Sequence, residues 1–179
     1  MSTVYFKRCL FAMLTLAVLS AAAAERNLSR WDYLGKNIPD PWNGIEITVQ
    51  EHNLTPDGQR TLQVVCGYDR DDLEWPSFLA YRTPASLFSG VKQAEIVFYV
   101  KGKRGNVIGL RVTAHAPNST HLSKTVEYTM TGEWQQIRYR EALSNAPSAR
   151  WVNAPRLLLL KFTAGDRFRF GPLALNAID

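Results

Sequence analysis

Cysteine is scarce in this chain, and its scarcity limits how the protein can be held together. Two of the 179 residues are cysteine. Cys9 lies near the amino terminus, and Cys66 is the only cysteine in the rest of the sequence, so that part has no internal disulfide and must fold through an apolar core. Cys66 sits in an apolar stretch without a neighbouring base, which predicts a buried thiol rather than a nucleophile.

Catalytic and helical signatures are missing as well. The sequence has no H-E-x-x-H or G-x-S-x-G motif, and His52, His115 and His121 lack metal-ligand spacing. No segment shows a sustained apolar stripe of 3.6-residue period, so helices are not expected. Basic residues are mixed with acidic ones rather than gathered in a dense run, which gives no support to nucleic-acid binding. We therefore expect a protein that is not an enzyme and binds no nucleic acid.

The first 24 residues have the order of a secretory signal peptide. Lys7 and Arg8 precede an apolar run at 10–19, and residues 22–24, all alanine, supply the A-x-A pattern of a cleavage site. The apolar run is shorter than the about 20 residues that a spanning helix needs. We therefore expect cleavage after Ala24, no membrane span afterwards, and a secreted or periplasmic protein. With both basic signal residues lost, 19 Lys and Arg face 16 Asp and Glu, a net charge of +3.

The remaining chain has the pattern of an all-β domain. Short runs rich in Val, Ile, Leu, Phe and Tyr recur between turn signals such as Pro56-Asp57-Gly58 and Thr131-Gly132. The predicted strands are 45–49, 61–68, 77–81, 93–101, 107–115, 125–130, 135–140, 156–162 and 167–175. About nine short strands in one domain imply two antiparallel sheets packed as a sandwich. We assign residues 44–179 to this sandwich and 25–43 to an amino-terminal segment that wraps over its edge.

Alternation along the predicted strands separates core faces from open faces. The core faces of strands 93–101 and 107–115 carry Ala94, Ile96, Phe98, Val100, Ile108, Leu110, Val112 and Ala114. The opposite faces carry Tyr99, Arg111, Thr113 and His115, a mixed polar and aromatic surface. Residues 157–160 are apolar without a break, so this strand is expected to lie centrally with both faces covered.

Four stretches resemble the jelly-roll carbohydrate-binding modules, whose sandwich is galactose-binding-like. Residues 96–103, IVFYVKGK, resemble the family's F-Y-V-K-G strand and hairpin, and residues 129–137, TMTGEWQQI, resemble its T-x-E-W-Q-x turn and strand. Residues 74–79, EWPSFL, look like the loop and strand that place an aromatic near the sugar, and 168–175, FRFGPLAL, are similar to the final strand. The resemblance covers about residues 60–177. It implies a two-sheet antiparallel jelly roll that binds a poly- or oligosaccharide without catalysis.

Sugar recognition needs flat aromatic faces against the C–H surface of a ring, with polar groups for its hydroxyls. Trp75 lies in a polar loop, which favours partial exposure and makes it the first choice for stacking. The full predicted ligand surface combines aromatic and polar residues of the concave face: Trp75, Tyr81, Tyr99, Arg111, Gln136 and Arg138. An error of one residue in strand register would move any strand member to the other face.

The acidic residues suggest two further sites that we weigh against simpler interpretations. Asp69, Asp71, Asp72 and Glu74 could offer the oxygen ligands of Ca²⁺, but they lack the spacing of an EF-hand loop, and a solvated acidic loop is the preferred interpretation. The resemblance leaves a structural calcium ion open, without assigned ligands. Glu95 and Glu127 fall on predicted strands. Their carboxylates could act as a pair in glycoside cleavage only if they lay at the distance from each other that this chemistry requires.

An alternative function belongs to a different class. The same sandwich could serve as an accessory or scaffold protein of an envelope or polysaccharide-secretion system and bind an envelope protein. An exposed ladder of apolar residues on one sheet would favour a protein partner, whereas an aromatic strip among polar groups would favour a glycan.

Overall fold

The computed structural model describes residues 25–35, 37–68, 77–88, 90–116, 119–122, 124–142 and 151–178. Within these ranges the alternating apolar pattern forms thirteen strands and a short 3-10 helix, Ala85–Phe88. The strands are β1 Glu25–Trp31, β2 Asp40–Trp42, β3 Ile45–Gln50, β4 Thr61–Cys66, β5 Ser77–Pro84, β6 Gln93–Lys101, β7 Val107–Ala116, β8 Ser119–Leu122, β9 Val126–Thr129, β10 Gln135–Ala142, β11 Trp151–Lys161, β12 Arg167–Phe170 and β13 Leu173–Ile178. No helix in these ranges is long and apolar enough to cross a membrane.

The strands form two antiparallel sheets. In the seven-stranded sheet, β6 pairs with β10 on one side and with β12 and β13 on the other, β1 pairs with β13, and β4 and β3 follow β12. The six-stranded sheet has the order β2-β5-β11-β7, and β8 and β9 pair with opposite ends of β7. This is the predicted two-sheet antiparallel sandwich.

The core lies between the sheets and is built by the inward side of each alternation. Ile96 and Phe98 of β6, Ile108 and Leu110 of β7, and Phe168 of β12 belong to one buried cluster. Because successive strand residues point to opposite sides, the alternate positions of these strands lie on the outer faces of the sandwich. The predicted core faces of β6 and β7 are confirmed at all described side chains.

The central position predicted for residues 157–160 is also confirmed. Leu157 and Leu159 face the main core, whereas Leu158 and Leu160 are buried on the outer side of the six-stranded sheet. A one-residue irregularity between Asn153 and Arg156 interrupts the register of β11 with both β5 and β7. Pro155 lies within this irregularity, as expected because proline cannot donate to a strand ladder.

Several predicted boundaries change, and β11 begins five residues before the predicted start at 156. Two further changes concern the chain ends of the sandwich. The predicted strand 167–175 is split into β12 and β13 by Gly171 and Pro172. Pro172 lacks the N–H that a continuous ladder would use, which accounts for the break. The segment 25–43, expected only to wrap over the edge, supplies β1 to one sheet and β2 to the other.

Candidate functional site

The outer face of the six-stranded sheet carries a row of side chains on four neighbouring strands. Strand register places Trp42 of β2 beside Phe78 of β5, and Arg156 of β11 beside Arg111 of β7. Thr113 lies two residues beyond Arg111 on the same face of β7. We call the surface formed by Trp42, Phe78, Arg156, Arg111 and Thr113 the arginine face.

Phe78 is enclosed between an indole ring and a guanidinium group. The Trp42 and Phe78 rings are stacked, with centroids 5.5 Å apart and planes inclined by 9°. The Cζ atom of Arg156 lies 3.6 Å from the Phe78 ring centroid, within cation–π range. Because β2 and β11 flank β5 on opposite sides, these groups approach Phe78 from opposite sides. Arg156 is thereby held in place, while 46% of Trp42 remains exposed at the sheet edge.

Below these groups lies an apolar floor that is separate from the main core. It consists of Phe78, Ala80, Leu158 and Leu160, each 7% exposed or less. A floor of buried apolar side chains with a few placed polar groups is typical of ligand sites. The rim is polar, since the Arg82 guanidinium pairs with the Asp40 carboxylate at 2.9 Å.

Arg111 and Arg156 are cross-strand partners with charges of the same sign. Burial lowers the pKa of both guanidinium groups, and for Arg156 the neighbouring charge of Arg111 adds to the effect of burial, so that its pKa falls to about 10. Both groups remain protonated at neutral pH. Two cations therefore occupy adjacent, partly buried positions, an arrangement that destabilises a sheet unless a counter-charge is present.

Hydrogen-bond donors on this face also lack partners. Among the residues that the structure describes, the buried atoms Arg111 Nε, Arg156 Nε and Thr113 Oγ1 make no hydrogen bond. Buried polar groups are nearly always satisfied, and an unsatisfied one costs about 1–3 kcal/mol. Three such atoms on two adjacent strands leave this part of the face with unsatisfied polar groups.

The outer face of the seven-stranded sheet has an opposite character. The Glu95 side chain on β6 is only 2% exposed, and its carboxylate accepts hydrogen bonds from Arg138 at 2.5 Å and from Arg140 at 2.7 Å. Burial alone would raise the pKa of Glu95, but these two hydrogen bonds and the two positive charges outweigh it and lower the pKa. We call the surface formed by Glu95, Arg138 and Arg140 the glutamate face.

The structure does not bring the predicted ligand residues together. Tyr99 and Gln136 are register partners on the outer side of the seven-stranded sheet, with Arg138 two residues along, whereas Arg111 lies on the outer side of the other sheet. The two groups therefore face in opposite directions. The sequence could place each side chain on its own strand face, but which strands share a sheet depends on pairing between distant segments.

Of the aromatic residues predicted for the ligand surface, Tyr81 is buried in the core and Trp75 lies outside the described residues. Tyr81 is fully buried, its ring packs edge-on against Trp31, and its hydroxyl lies 3.3 Å from that of Tyr33. It serves the core and offers no ring face to a ligand, because the inward side of β5 faces the other sheet. Trp75 lies outside the described residues, as do Asp69, Asp71, Asp72 and Glu74 of the acidic loop.

Sequence reasoning did not identify Arg156, and it considered Trp42 as a groove residue but preferred a role in sealing the core edge. Trp42 belongs to a strand of three residues, which is too short to show alternation. Residues 157–160 are apolar without a break, so their pattern did not show on which face of the strand Arg156 lies. A usable signal was present in β11, where Arg156 is even-numbered like Leu158 and Leu160 and so shares their side of the strand.

The candidate catalytic residues considered from the sequence are not arranged for catalysis in the described structure. Glu95 and Glu127 lie on the outer faces of different sheets, so they cannot flank one glycosidic bond. Cys66 is buried as predicted, and burial, with a smaller contribution from Asp166, raises the pKa of its thiol to about 12. Among the described residues no three His, Cys, Asp or Glu side chains form a group that could hold a metal ion.

Comparisons with known proteins agree with this architecture. No protein-family model and no curated protein matches the chain, whereas several solved structures do. They include the CBM22-1 xylan-binding domain of Paenibacillus barcinonensis Xyn10C, with 15% identity over 89% of this chain and 99% of that one and a TM-score of 0.57. The family 11 carbohydrate-binding module of Clostridium thermocellum, in complex with a β-1,3-1,4-mixed-linked tetrasaccharide, matches at 12% identity, 86% and 95% coverage and TM-score 0.54.

A third match is TmCBM61 in complex with β-1,4-galactotriose, with 15% identity, 84% and 97% coverage and a TM-score of 0.52. At such identities the likeness concerns the fold. The chain has the antiparallel jelly-roll sandwich of carbohydrate-binding modules, and the resemblance drawn from its sequence is confirmed.

Proposed function

We propose that this protein binds a poly- or oligosaccharide on the arginine face and performs no catalysis. The observation that carries the proposal is the combination of a half-exposed indole, Trp42, with the unpartnered polar atoms of Arg111, Arg156 and Thr113 above an apolar floor. Sugars present this pair of requirements, because their rings have apolar C–H faces and polar hydroxyl edges.

Each part of the arginine face has a role in this proposal. Trp42 provides a ring surface for a sugar at the edge of the six-stranded sheet. Arg111 and Arg156 donate hydrogen bonds to ring substituents, and the packing of Arg156 against Phe78 reduces the entropy lost when a ligand is held. Support also comes from neighbours of the same fold, one of which is a xylan-binding domain, while the others are in complex with a β-1,3-1,4-mixed-linked tetrasaccharide and with β-1,4-galactotriose.

The first test is binding of residues 25–179 to a glycan array, followed by calorimetric titration of the best glycan and of xylohexaose, a mixed-linked β-1,3-1,4 tetrasaccharide and β-1,4-galactotriose. Trp42→Ala should weaken the affinity by about tenfold, the value of one lost stacking contact and its buried area. Trp134→Ala is the matched control, since Trp134 is a half-buried tryptophan next to β10 of the other sheet. Unfolding temperatures of both variants separate lost binding from lost fold.

The same titration tests the surface first predicted from sequence. Tyr99→Ala and Gln136→Ala remove two neighbouring members of that surface from the seven-stranded sheet. A loss of affinity with these variants, and none with Trp42→Ala, would move the site to the opposite face. An array without any saturable binding would contradict the glycan proposal and favour the accessory-protein alternative with a protein partner.

We also propose that the protein works outside the cytoplasm, secreted or in the periplasm, after removal of residues 1–24. The proposal rests on the basic, apolar and small-residue order of that segment. Amino-terminal sequencing of the exported protein should begin at Glu25. A retained amino terminus in the cytoplasmic fraction would contradict it.

A further inference from the structure

We infer that the glycan recognised by the arginine face is acidic and that a carboxylate of a uronic acid unit binds between Arg111 and Arg156. This inference rests on the proposed function, because it names the chemical class of ligand for the same surface. Among the described residues, the positive charge of this pair has no counter-charge. Arg111 and Arg156 are directly opposed in the β7–β11 ladder, and no carboxylate of the described residues pairs with either guanidinium group.

Two described carboxylates lie on the strands of this face, and neither pairs with the two arginines. Asp40 on β2 pairs with Arg82 at 2.9 Å. Glu127 on β9 lies opposite Gly109 and is exposed, without an ion pair to either arginine. The two arginines are therefore register partners whose buried Nε atoms make no hydrogen bond, and no described carboxylate balances their charge.

An anionic ligand would relieve both parts of this cost. A carboxylate offers two oxygens with about four acceptor positions, and the guanidinium fork matches that geometry. Hydrogen bonds between oppositely charged partners are roughly twice as strong as neutral ones. A neutral hydroxyl could satisfy a donor, but it would leave two adjacent positive charges in a partly buried place. Charge compensation thus favours a carboxylate over a neutral sugar.

The backbone around the pair is built to hold it. The irregularity of β11 between Asn153 and Arg156 lies directly beside the arginines, and irregularities of this kind re-aim side chains next to binding sites. Thr113 projects from the same face of β7 with an unpartnered Oγ1. A uronic acid unit has hydroxyls next to its carboxylate, so one ring could engage the partly exposed guanidinium groups of both arginines.

A second basic surface is the main rival location for an anion. Lys101, Lys103, Arg167 and Arg169 line a groove of about 220 Å³. Two of these cations already have carboxylate partners, since Lys101 pairs with Glu133 at 3.3 Å and Lys103 with Asp166 at 3.2 Å. The charges of this groove are therefore closer to balance than those of the arginine pair. A substitution of Arg169 tests whether the anion binds in this groove instead.

The test compares uronate polysaccharides with their own neutral forms. The probes are polygalacturonate, alginate, glucuronoxylan and hyaluronan, each used before and after chemical reduction of its carboxylates to primary alcohols, and dextran sulfate as a sulfated anion. At least one uronate polymer should bind, and carboxyl reduction should abolish its binding. Arg111→Gln and Arg156→Gln should each weaken binding by about tenfold or more, whereas Arg169→Gln should leave it within about twofold. Circular dichroism and unfolding temperature confirm that each variant is folded.

The outcomes separate this inference from the function on which it rests. Binding of neutral glycans with no preference for carboxylates would overturn the acidic class but keep glycan binding. Binding of dextran sulfate alone would overturn the carboxylate assignment, and equal losses in Arg169→Gln would move the anion to the other groove. Absence of binding to every glycan, neutral or acidic, would remove the proposed function itself.

Discussion

Each outer face of the sandwich holds a pair of arginines, but among the described residues only the glutamate face provides its pair with a carboxylate. On the glutamate face, two arginines of β10 share the buried carboxylate of Glu95 on β6. On the arginine face, Arg111 and Arg156 oppose each other with like charge, and no carboxylate of the described residues pairs with them. Within the part of the chain that the structure describes, the first cluster contains its counter-charge and the second does not.

This difference separates structural polar groups from candidate binding groups. A buried charge with well-formed hydrogen bonds contributes to the folded state, and removal of one member leaves the others unsatisfied. The repulsion between two opposed like charges destabilises the folded state. Mutations on the glutamate face should therefore lower the stability, whereas mutations on the arginine face should weaken ligand binding.

The largest effect is expected from Glu95→Ala. The variant removes a nearly fully buried carboxylate and two charge-assisted hydrogen bonds, and should lower the free energy of unfolding by about 2–3 kcal/mol. For a domain of this size the unfolding temperature should fall by about 5–10 °C. The matched control is Glu127→Ala, an exposed strand glutamate of the other sheet, which should change stability by less than about 0.5 kcal/mol. Equal effects of the two variants would show that the glutamate face is not a structural cluster.

Substitution of one arginine on each face should change the stability by a smaller amount and in opposite directions. Arg138→Met keeps the aliphatic stem but deprives Glu95 of one donor, and should lower stability by about 1–2 kcal/mol. Arg111→Met removes one of two opposed positive charges and should raise stability by about 0.5 kcal/mol in the absence of ligand. Urea unfolding of both variants measures the sign. A destabilised Arg111→Met protein would mean that Arg111 has a structural partner and would weaken the comparison.

The pH dependence of stability should differ between wild type and Glu95→Gln. The arginine hydrogen bonds and charges lower the pKa of Glu95 despite its burial, so its contribution is present above the unfolded-state pKa of about 4.3 and is lost as pH falls through the lower folded-state value. Unfolding temperatures measured from neutral pH down to about pH 2 should therefore fall more steeply below pH 4.3 in the wild type. Parallel curves would show that the carboxylate is not held in its ionised form.

Much of the fold was accessible from the sequence because it depends on local alternation. The strand predicted at 93–101 has the observed bounds of β6, and the apolar run 157–160 lies centrally with both sides buried. The strands β1, β2 and β8 escaped prediction because they are short or irregular, and they are fixed by partners elsewhere in the chain. Glu25–Trp31 becomes a strand through its pairing with the last strand, β13.

The candidate site was less predictable, since it depends on which strands become neighbours. Arg111 was correctly assigned to an outward face, but Tyr99, Gln136 and Arg138 were joined to it although they lie on the other sheet. Tyr81 was offered as a ligand residue and is instead buried beside Tyr33 and Trp31. Aromatic and basic residue types alone do not separate a core position from a surface position.

By itself, the sequence determined the all-β class, the two-sheet sandwich, the core-facing sides of β6 and β7 and the resemblance to carbohydrate-binding modules. These follow from a period of two along single strands and from turn residues, both of which are local. Only the tertiary structure decided that Arg111 lies opposite Arg156 and that Trp42 stacks on Phe78. It also decided that Glu95 pairs with two arginines of β10. Those contacts join residues far apart in the chain, and strand pairing alone brings them together.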